Sequence, residues 1–536
     1  MNASVARDER VERGSTLEDG GTDAEEVMGV AGSHGLPAHR VGSAYGIALA
    51  AGAALTLAFP EPDLAPMAWV AVAPLFVLVK GATPGRGFRL GAVYGVAFFG
   101  TLLFWQSLLG WIAWALLVGL QAAFVGLWGA LWAVASRRKG HLAGALVPPI
   151  LWVAIEYLRS LVPLGGFTWG HLAQSQHDLA WMLRPAAFAG AWGVSLIVAL
   201  VNSALAETWR SLTSVPRSAA LAAAITAATV ILVAAPALLP ARSAGGREAR
   251  VAIVQGNVPR DYVGSFFDKE LEIIGNHARI TAGLRDQNPD LVIWPESSVG
   301  IDPYRYPDVR RTLAAAARTV GAPMLVGGEV DVGSQKRKVV VFLVTPEGGI
   351  TDFYQKRHHV PFGEYIPARR FLDWIPMLDQ VPTDSIPGPG PKVFTLAGGS
   401  VAPVISFEGD FGSLVRQSTD AGARLVVVAT NTSTYGFTWN SAQHVAFSQL
   451  RAAENGVWVV HAALSGISAF IAPDGMVAQS TPLWEAATAT QRVRFSTGAT
   501  FYARTGDWLP LGCAAVGLGA VLFGLVARKQ PDGQAS

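Results

Sequence analysis

Three short segments of the sequence carry side chains whose chemistry would suit acyl transfer. The segment L-V-I-W-P-E ends an apolar run at a proline, which stops the strand ladder and presents Glu296 just past its end. The segment Y-Q-K-R-H-H-V-P-F-G-E-Y places Lys356 and Glu364 in one loop shaped by proline and glycine. The segment P-V-I-S-F-E-G-D ends an apolar run on Ser406, where a strand could deliver a nucleophile.

Together these segments supply a carboxylate, an ammonium and a nucleophile, which can perform acyl transfer without a histidine. The carboxylate of Glu296 would take the proton of the Ser406 hydroxyl, and Lys356 would stabilise the charge on the tetrahedral intermediate. Each segment alone also has an ordinary structural interpretation: a solvated glutamate at a strand end, a surface lysine, and a serine that caps a turn. Their joint appearance in one domain favours catalysis.

The composition of the chain is typical of a membrane protein. Of its 536 residues, 51% are hydrophobic and 15% charged, whereas soluble domains carry about a quarter charged residues. The net charge of +2 is too small to indicate nucleic-acid binding. The single cysteine, Cys513, excludes an internal disulfide framework and a Cys-rich metal site. His358 and His359 have no third ligand at metal-site spacing, so we expect neither a metal nor a cofactor.

Eight apolar stretches are candidates for crossing a bilayer, since a spanning helix needs about 20 mostly apolar residues. Seven of them form a predicted bundle over 41–240, and the last lies at 507–528. The polar segments 1–40 and 529–536 are predicted to be cytoplasmic tails, the first of them disordered. The expected spans lie near 43–60, 64–80, 88–108, 111–136, 143–162, 183–206, 217–239 and 508–527.

Between the two membrane blocks, residues 249–500 change in character. Short runs rich in β-branched residues are separated by helical or polar stretches and by glycine or proline turns, which predicts a soluble α/β domain. The runs are Val251–Val254, Leu291–Trp294, Val339–Val344, Val401–Ile405, Leu425–Ala429 and Val457–Val460.

Lysine and arginine collect in alternate loops, which predicts the orientation in the membrane. The loops 60–66 and 163–182 contain neither residue type. With a cytoplasmic N-terminus, eight spans place the α/β domain outside the cytoplasm, tethered to the cell membrane at both ends. The inner loops then hold Lys80, Arg86, Arg89, Arg137, Arg138, Lys139, Arg210 and Arg217.

The order of the motifs resembles that of the nitrilase (carbon–nitrogen hydrolase) superfamily. W-P-E is followed by Y-x-K with P-F-G-E-Y, and then by a nucleophile, an aromatic residue and a glutamate. Together with the membrane block, the chain resembles the apolipoprotein N-acyltransferase family. Further matching pieces are E-Y-L-R-S (156–160), G-G-F-T-W (165–169), Q-G-N (255–257), R-A-A-E-N-G (451–456), S-G-I-S-A (465–469) and T-G-D (505–507).

The resemblance implies a nitrilase-type αββα sandwich seated on a bundle of eight helices. It implies that an acyl chain passes from a phospholipid to the enzyme, and then to the α-amino group of the diacylglyceryl-cysteine of an apolipoprotein. By position, Glu296 would be the general base, Lys356 the oxyanion stabiliser and Ser406 the nucleophile. The same correspondence assigns supporting roles to Glu364, Phe407 and Glu408.

Four positions depart from the pattern of the family. The family's nucleophile is cysteine, and Ser406 stands in its place. Thr432 occupies the position of an aspartate, while His461 and Leu464 occupy those of an arginine and an asparagine. A serine hydroxyl is a far weaker acid than a thiol, so it needs a stronger base.

Three hypotheses follow from these motifs and departures. The first is an N-acyltransferase that uses Ser406, which the intact carboxylates and lysine favour. The second is a catalytically silent or divergent paralogue that binds lipoproteins or assists a partner enzyme, which the departures favour. The third is a hydrolase of the same superfamily, which the membrane block argues against because amidases of this superfamily are soluble.

Two further features carry expectations of their own. Glu156 and Arg159 lie three residues apart near the end of a predicted span, and we expect an ion pair between them, with substrate contact as the alternative. The segment R-R-F-L-D-W-I-P-M-L (369–378) mixes aromatic and charged residues. It fits either a mobile arm that dips into the outer leaflet or a loop packed over the α/β core.

Overall fold

The computed structural model describes most of the chain. Both predicted tails fall largely outside the described residues. These residues exclude all of the tail predicted at 529–536 and residues 1–37 of the tail predicted at 1–40. Residues up to Ser43 and residues from Ala44 onward form two separate units, and both sheets belong to the second. The described residues are 38–137, 141–214, 219–260, 262–372, 374–396 and 398–526.

The described α-helices lie mostly before residue 239 and after residue 500, and four others lie among the strands between these points. In chain order they are α1 (Ala38–Thr56), α2 (Ala73–Val79), α3 (Pro84–Leu102), α4 (Trp111–Ala135), α5 (His141–Arg159), α6 (Ala180–Leu183), α7 (Ala186–Ala189), α8 (Ala191–Ser214), α9 (Ala219–Leu238), α10 (Phe266–Ala282), α11 (Pro307–Val320), α12 (Gly412–Asp420), α13 (Asn440–Asn455), α14 (Phe501–Thr505) and α15 (Trp508–Val526).

Among the described residues, four helices are long and apolar enough to cross a membrane. They are Trp111–Ala135, Leu142–Arg159, Ala191–Thr213 and Trp508–Val526. Shorter apolar helical stretches are Gly42–Thr56, Ala65–Val79 and Ala223–Leu238.

Three of the expected spans are not continuous helices. In the expected span 88–108, α3 ends at Leu102 and a 3₁₀ segment, Phe104–Leu109, follows. The expected span 64–80 consists of a 3₁₀ turn at Ala65–Trp69 followed by the short helix α2. Each piece has a proline in its first turn, where the missing N–H costs nothing. A turn at residues 70–72 separates them. The expected span 183–206 is likewise divided, because α8 begins only at Ala191, after the short helix α7.

Helices α3 and α4 pack closely because small residues face each other. A Cβ atom on Gly129 would overlap the carbonyl oxygen of Gly87, and a Cβ atom on Gly87 would overlap the carbonyl oxygen of Gly129. The two backbones therefore approach as closely as in the small-residue interfaces of membrane helices.

The described strands form two sheets between residues 248 and 494. In chain order the strands are β1 (Glu248–Gln255), β2 (Leu291–Val299), β3 (Met324–Val332), β4 (Lys336–Thr345), β5 (Gly349–Gln355), β6 (Asp384–Ser385), β7 (Phe394–Leu396), β8 (Gly399–Ile405), β9 (Leu425–Thr430), β10 (Trp458–Ala463), β11 (Ala469–Ile471), β12 (Val477–Ser480) and β13 (Ala487–Arg494). The first sheet has the order β13-β1-β2-β3-β4-β5, with β6 beside β4. The second has the order β12-β11-β10-β9-β8-β7.

The two sheets face each other, and helices cover their outer faces. Side chains such as Ile293 from the first sheet and Val427 from the second share one core. Leu313 of α11 packs on the outer face of the first sheet, and Val445 of α13 packs on that of the second. The layers therefore follow the αββα order that the sequence predicts, and the six predicted β-branched runs overlap β1, β2, β4, β8, β9 and β10.

The α/β domain and the helical bundle share a hydrophobic core. Phe407, Phe411 and Phe447 from the domain belong to the same cluster as Trp169 and Leu103 from the bundle. Burial of such large apolar side chains is the main favourable term in association. The turn that follows Ser406 is therefore anchored on the bundle.

We predict that Gly129→Ala destabilises the protein while Gly119→Ala, on the same helix, does not. A Cβ atom at position 119 meets open space, so that variant gains about 1 kcal/mol of helix propensity. At position 129 the overlap with the backbone of α3 costs about 1–3 kcal/mol or more, which outweighs the gain. Thermal unfolding in detergent micelles should show a lower midpoint for Gly129→Ala only, and equal midpoints would contradict the close packing.

Candidate active site

Glu296 lies inside a strand rather than just past its end, which corrects the prediction from the sequence. Strand β2 continues to Val299, and its register with β3 shifts between Trp294 and Val299. The ladder therefore breaks around Pro295, as the missing N–H requires, but the chain resumes an extended path. A Cβ atom on Gly327 of β3 would overlap the backbone at Pro295, so this glycine lets the two strands approach at the position of Glu296.

Lys356 is buried between two carboxylates. Its Nζ atom donates hydrogen bonds to Glu296 Oε1 at 3.0 Å and to Glu364 Oε1 at 2.8 Å. The lysine side chain is 1% exposed, so these two carboxylates replace the water that an ammonium normally binds. The backbone N–H of Val360 donates to Glu364 Oε2 at 2.7 Å and fixes the second carboxylate within the same loop.

Burial and charge set the protonation states of this cluster. Burial alone would lower the pKa of Lys356, but the carboxylates of Glu296 and Glu364 outweigh it and raise that pKa above its ordinary value. Burial raises the pKa of Glu296 more than the Lys356 ammonium lowers it. For Glu364 the ammonium of Lys356 and the imidazole of His359 outweigh burial, and its pKa falls below the ordinary value. Glu296 is therefore the stronger base of the two carboxylates.

Ser406 sits at the corner where strand β8 turns into a 3₁₀ segment, Ser406–Asp410. Its backbone has a φ of 49°, which is a left-handed conformation. Residues other than glycine adopt this conformation at a cost of order 1–3 kcal/mol. Strained backbone conformations of this kind cluster at active sites. The Ser406 hydroxyl accepts a hydrogen bond from Thr430 Oγ1 at 3.2 Å.

The end of strand β9 connects Ser406 to Glu296. Thr430 is the last residue of that strand and donates to the Ser406 hydroxyl. The next residue, Asn431, donates its backbone N–H to Glu296 Oε2 at 3.0 Å. Consecutive residues thus hold the two predicted catalytic groups, although the two lie in different sheets.

Glu408 joins the lysine loop to the serine corner. Its Oε1 atom accepts backbone N–H bonds from Arg357 at 2.6 Å and from His358 at 3.0 Å. Its Oε2 atom accepts from the backbone N–H of Ile405 and from the hydroxyl of Tyr354, both at 2.8 Å. Glu408 is fully buried, and all of these partners flank either Lys356 or Ser406, so it positions both.

Phe407 is part of an aromatic stack that reaches into the bundle. Its ring lies 5.4 Å from that of His358 and 6.2 Å from that of Trp169, with interplanar angles of 15° and 20°. Trp169 belongs to the loop between α5 and α6. The predicted supporting residue therefore contacts both the lysine loop and the membrane block.

The sequence predicts that three residues stand where the family has polar groups. Thr432, His461 and Leu464 are all buried. His461 Nδ1 lies 2.8 Å from the hydroxyl of Ser448, and the backbone N–H of Leu464 donates to the carbonyl of Thr430 at 3.1 Å. His461 therefore contacts α13, and Leu464 joins the end of β10 to the end of β9.

The expected ion pair between Glu156 and Arg159 is absent from the described residues. Glu156 Oε1 instead accepts hydrogen bonds from Trp152 Nε1 at 3.0 Å and from the backbone N–H of Leu172 at 2.8 Å. Arg159 donates to Gln121 Oε1 at 3.3 Å and to the Phe167 carbonyl at 3.1 Å. Both side chains thus hold the segment between α5 and α6, which contains Phe167 and Leu172.

The segment 369–378 carries exposed aromatic side chains. Phe371 is 63% exposed and Trp374 is 78% exposed, so these rings do not pack over the α/β core. Arg369 anchors the start of the segment through a 2.6 Å contact between its Nη2 atom and Asp384 Oδ1.

Sequence reasoning missed the polar residues of α13 that join the domain to the bundle. Gln443 Oε1 accepts from Trp105 Nε1 and from Trp169 Nε1, both at 3.0 Å. Glu454 Oε1 accepts from the backbone N–H of Ala191, the first residue of α8, at 2.8 Å. Their partners are hundreds of residues away in the sequence, and a polar helix carries no local signal that distinguishes such burial from exposure.

Comparison with known families agrees with this arrangement. A family model described as "Apolipoprotein N-acyltransferase N-terminal domain" matches residues 51–204, and one described as "Carbon-nitrogen hydrolase" matches residues 250–501. The second match covers all the residues that form the cluster around Lys356.

Similar proteins were found among both sequences and solved structures. An apolipoprotein N-acyltransferase of Mycolicibacterium smegmatis is 32% identical over 525 residues, which cover 90% of this chain and 84% of the relative. An amidase from Nesterenkonia sp. is similar in structure, with 18% identity and a TM-score of 0.36, over 49% of this chain and 95% of the amidase.

A second apolipoprotein N-acyltransferase, from Geobacter metallireducens, matches this chain over nearly the full length of both proteins. It is 30% identical over 505 residues, which cover 91% of this chain and 96% of that apolipoprotein N-acyltransferase. Because the identity spans both the helical bundle and the domain that holds Lys356, the chain belongs to the apolipoprotein N-acyltransferase family.

Proposed function

We propose that the chain transfers a fatty acyl group from a membrane phospholipid to the α-amino group of the diacylglyceryl-cysteine of an apolipoprotein. This is the last step of bacterial lipoprotein maturation, and it would proceed through an acyl-enzyme on Ser406. The observation that carries the proposal is the Lys356 ammonium held between Glu296 and Glu364, with Ser406 and Glu296 both tied to the end of β9.

In the first half-reaction the Ser406 hydroxyl attacks the ester carbonyl of the phospholipid. Glu296 accepts the hydroxyl proton, and its pKa, raised by burial, makes it a better base than an exposed glutamate. The Lys356 ammonium stabilises the negative charge on the tetrahedral intermediate, because the two carboxylates keep it protonated. Glu296 then gives the proton to the departing glycerol oxygen, and a lysophospholipid leaves.

In the second half-reaction the free α-amino group of the apolipoprotein attacks the ester on Ser406. Glu296 takes a proton from the attacking nitrogen and returns it to Ser406 Oγ as the bond from carbon to that oxygen breaks. The products are an amide and the original serine. Glu364 and Glu408 contribute by positioning, since the first holds Lys356 and the second joins the loops.

We further propose that eight segments cross the cell membrane and that the α/β domain lies outside the cytoplasm. The alternating distribution of lysine and arginine supports this orientation. It would place the domain beside the outer leaflet, where diacylated apolipoproteins and phospholipid donors are both available. The exposed Phe371 and Trp374 suit contact with that leaflet.

We predict that Glu296→Gln and Lys356→Met each lower acyl transfer to a diacylated lipopeptide by about 100-fold or more. A general base and a charge stabiliser act mainly in the transition state, so their loss reduces kcat. The triacylated product can be measured by mass spectrometry with purified protein in phospholipid-containing micelles. Glu248→Gln is the matched control, because Glu248 is an exposed carboxylate of the same sheet.

The thermal unfolding midpoint of each variant separates loss of chemistry from loss of folding. This matters for Lys356→Met, which leaves two buried carboxylates without their cation. If both variants fold and still transfer acyl groups at the native rate, Glu296 and Lys356 have no part in the mechanism.

A second prediction concerns the nucleophile. Incubation with phospholipid and no acceptor should leave an acyl group on the peptide that contains Ser406, and Ser406→Ala should lose both this adduct and the activity. The bond is an oxygen ester, so it should survive neutral hydroxylamine, whereas the thioester formed by Ser406→Cys should be cleaved. The Ser406→Cys variant should transfer acyl groups at least as fast as the native chain, since a thiol is more acidic.

Transfer by Ser406→Cys alone, with neither an adduct nor activity in the native chain, would contradict the proposal. The chain would then be a silent homologue whose charged cluster remains assembled around a disabled position. The adduct on the native chain is therefore the decisive measurement.

The proposed orientation predicts the labelling of single introduced cysteines by a membrane-impermeant thiol reagent. Ala315→Cys lies on an exposed face of α11 and should react on intact spheroplasts. Gly85→Cys lies in the exposed first turn of α3 and should react only after permeabilisation. The natural Cys513 is buried and provides the background. The reverse pattern would place the α/β domain in the cytoplasm.

A further inference from the structure

In the mechanism described so far, the hydrogen bond from Thr430 to Ser406 only holds the serine in place. Thr430 is completely buried at the carboxyl end of strand β9. Its Oγ1 atom donates to Ser406 Oγ at 3.2 Å, and among the described residues this is its one side-chain hydrogen bond. The threonine hydroxyl therefore points at the atom that forms and breaks the acyl bond.

The backbone around Thr430 holds its side chain firmly. Its strand runs parallel to β8 and β10 in the middle of the second sheet, and its carbonyl accepts the N–H of Leu464 at 3.1 Å. The next residue, Asn431, binds Glu296 through its backbone N–H. A donor fixed in this way needs no reorganisation when charge develops on the serine oxygen.

A serine nucleophile creates a need for such a donor. When the amine displaces the acyl group, negative charge develops on Ser406 Oγ until Glu296 has delivered its proton, and this oxygen is a far poorer leaving group than a thiolate. A hydrogen bond to an ionised oxygen is roughly twice as strong as one between neutral groups. The Thr430 bond therefore strengthens as the bond from the acyl carbon to Oγ breaks, and it weakens again once the proton has returned.

We propose that Thr430 is a catalytic residue that stabilises the departing oxygen of Ser406, an inference that rests on the acyl transfer proposed above. In this step the bond from the amine nitrogen to the acyl carbon forms, and the bond from that carbon to Ser406 Oγ breaks. Glu296 carries the proton from the nitrogen to Oγ. Thr430 donates a hydrogen bond throughout and keeps its own proton.

The test compares Thr430→Val and Thr430→Ser in the native chain and in the Ser406→Cys variant. Valine keeps the size and branching of threonine and removes the donor, whereas serine keeps the donor. With the native nucleophile, Thr430→Val should lower kcat by about 10-fold to 100-fold, the range for a lost hydrogen bond to a charged group. KM for the phospholipid should not rise, because slower release lets the acyl-enzyme accumulate, and Thr430→Ser should stay within about threefold of the native kcat, since its donor remains.

Two further measurements separate a chemical role from a structural one. In Thr430→Val a larger fraction of the protein should carry the acyl group on residue 406 during turnover, because its release has become slower. In the Ser406→Cys background the same substitution should change kcat by less than about threefold, because sulfur is a weak hydrogen-bond acceptor and a thiolate leaves without help.

The outcomes distinguish this inference from the proposed function. An acylated native chain in which Thr430→Val keeps the native kcat would overturn the role of Thr430 and leave the acyl transfer intact. If Thr430→Val lowers kcat equally with the serine and with the cysteine nucleophile, the effect is structural, and this result would also overturn the role of Thr430. A native chain that never carries an acyl group on residue 406 would overturn the proposed function and this inference with it.

Discussion

The burial of one positive charge, the Lys356 ammonium, constrains most of the α/β domain. Removing an ion from water costs on the order of several kcal/mol even in a relaxed protein, so the ammonium is stable only with both carboxylates in place. Those carboxylates come from strand β2 and from the loop after β5. The fold must therefore bring these segments together within hydrogen-bond distance, and the sandwich of two sheets does so at the carboxyl ends of its parallel strands.

The same constraint extends outward to the membrane bundle. Glu408 fixes the lysine loop and the serine corner through backbone N–H groups, and Phe407 beside it stacks on Trp169. Helix α13 adds polar contacts, with Gln443 bound by Trp105 and Trp169. Directional hydrogen bonds fix the orientation of the domain on the bundle, while the apolar cluster supplies most of the favourable free energy.

Much of this arrangement could be predicted from the sequence, and the failures have physical causes. Continuous β-branched runs predicted the central strands, whereas β3 contains Gly327 and Gly328 and β13 alternates with charges, so neither forms such a run. The motifs predicted Glu296 and Lys356 as site residues, and their side chains lie within hydrogen-bond distance of each other. The interactions of Gln443 could not be found, because its partners lie 274 and 338 residues away. Glu156 and Arg159 have the spacing of an ion pair, but buried backbone groups compete for both charges.

The left-handed backbone at residue 406 limits which side chains the corner can accept. A φ of 49° brings the Cβ atom close to the chain's own carbonyl group. Serine and cysteine carry a single heavy atom on Cβ and can turn it away, whereas threonine carries two and cannot turn both. Serine and cysteine are therefore interchangeable at this corner without rebuilding the backbone, whereas the branched side chain of threonine is disfavoured there.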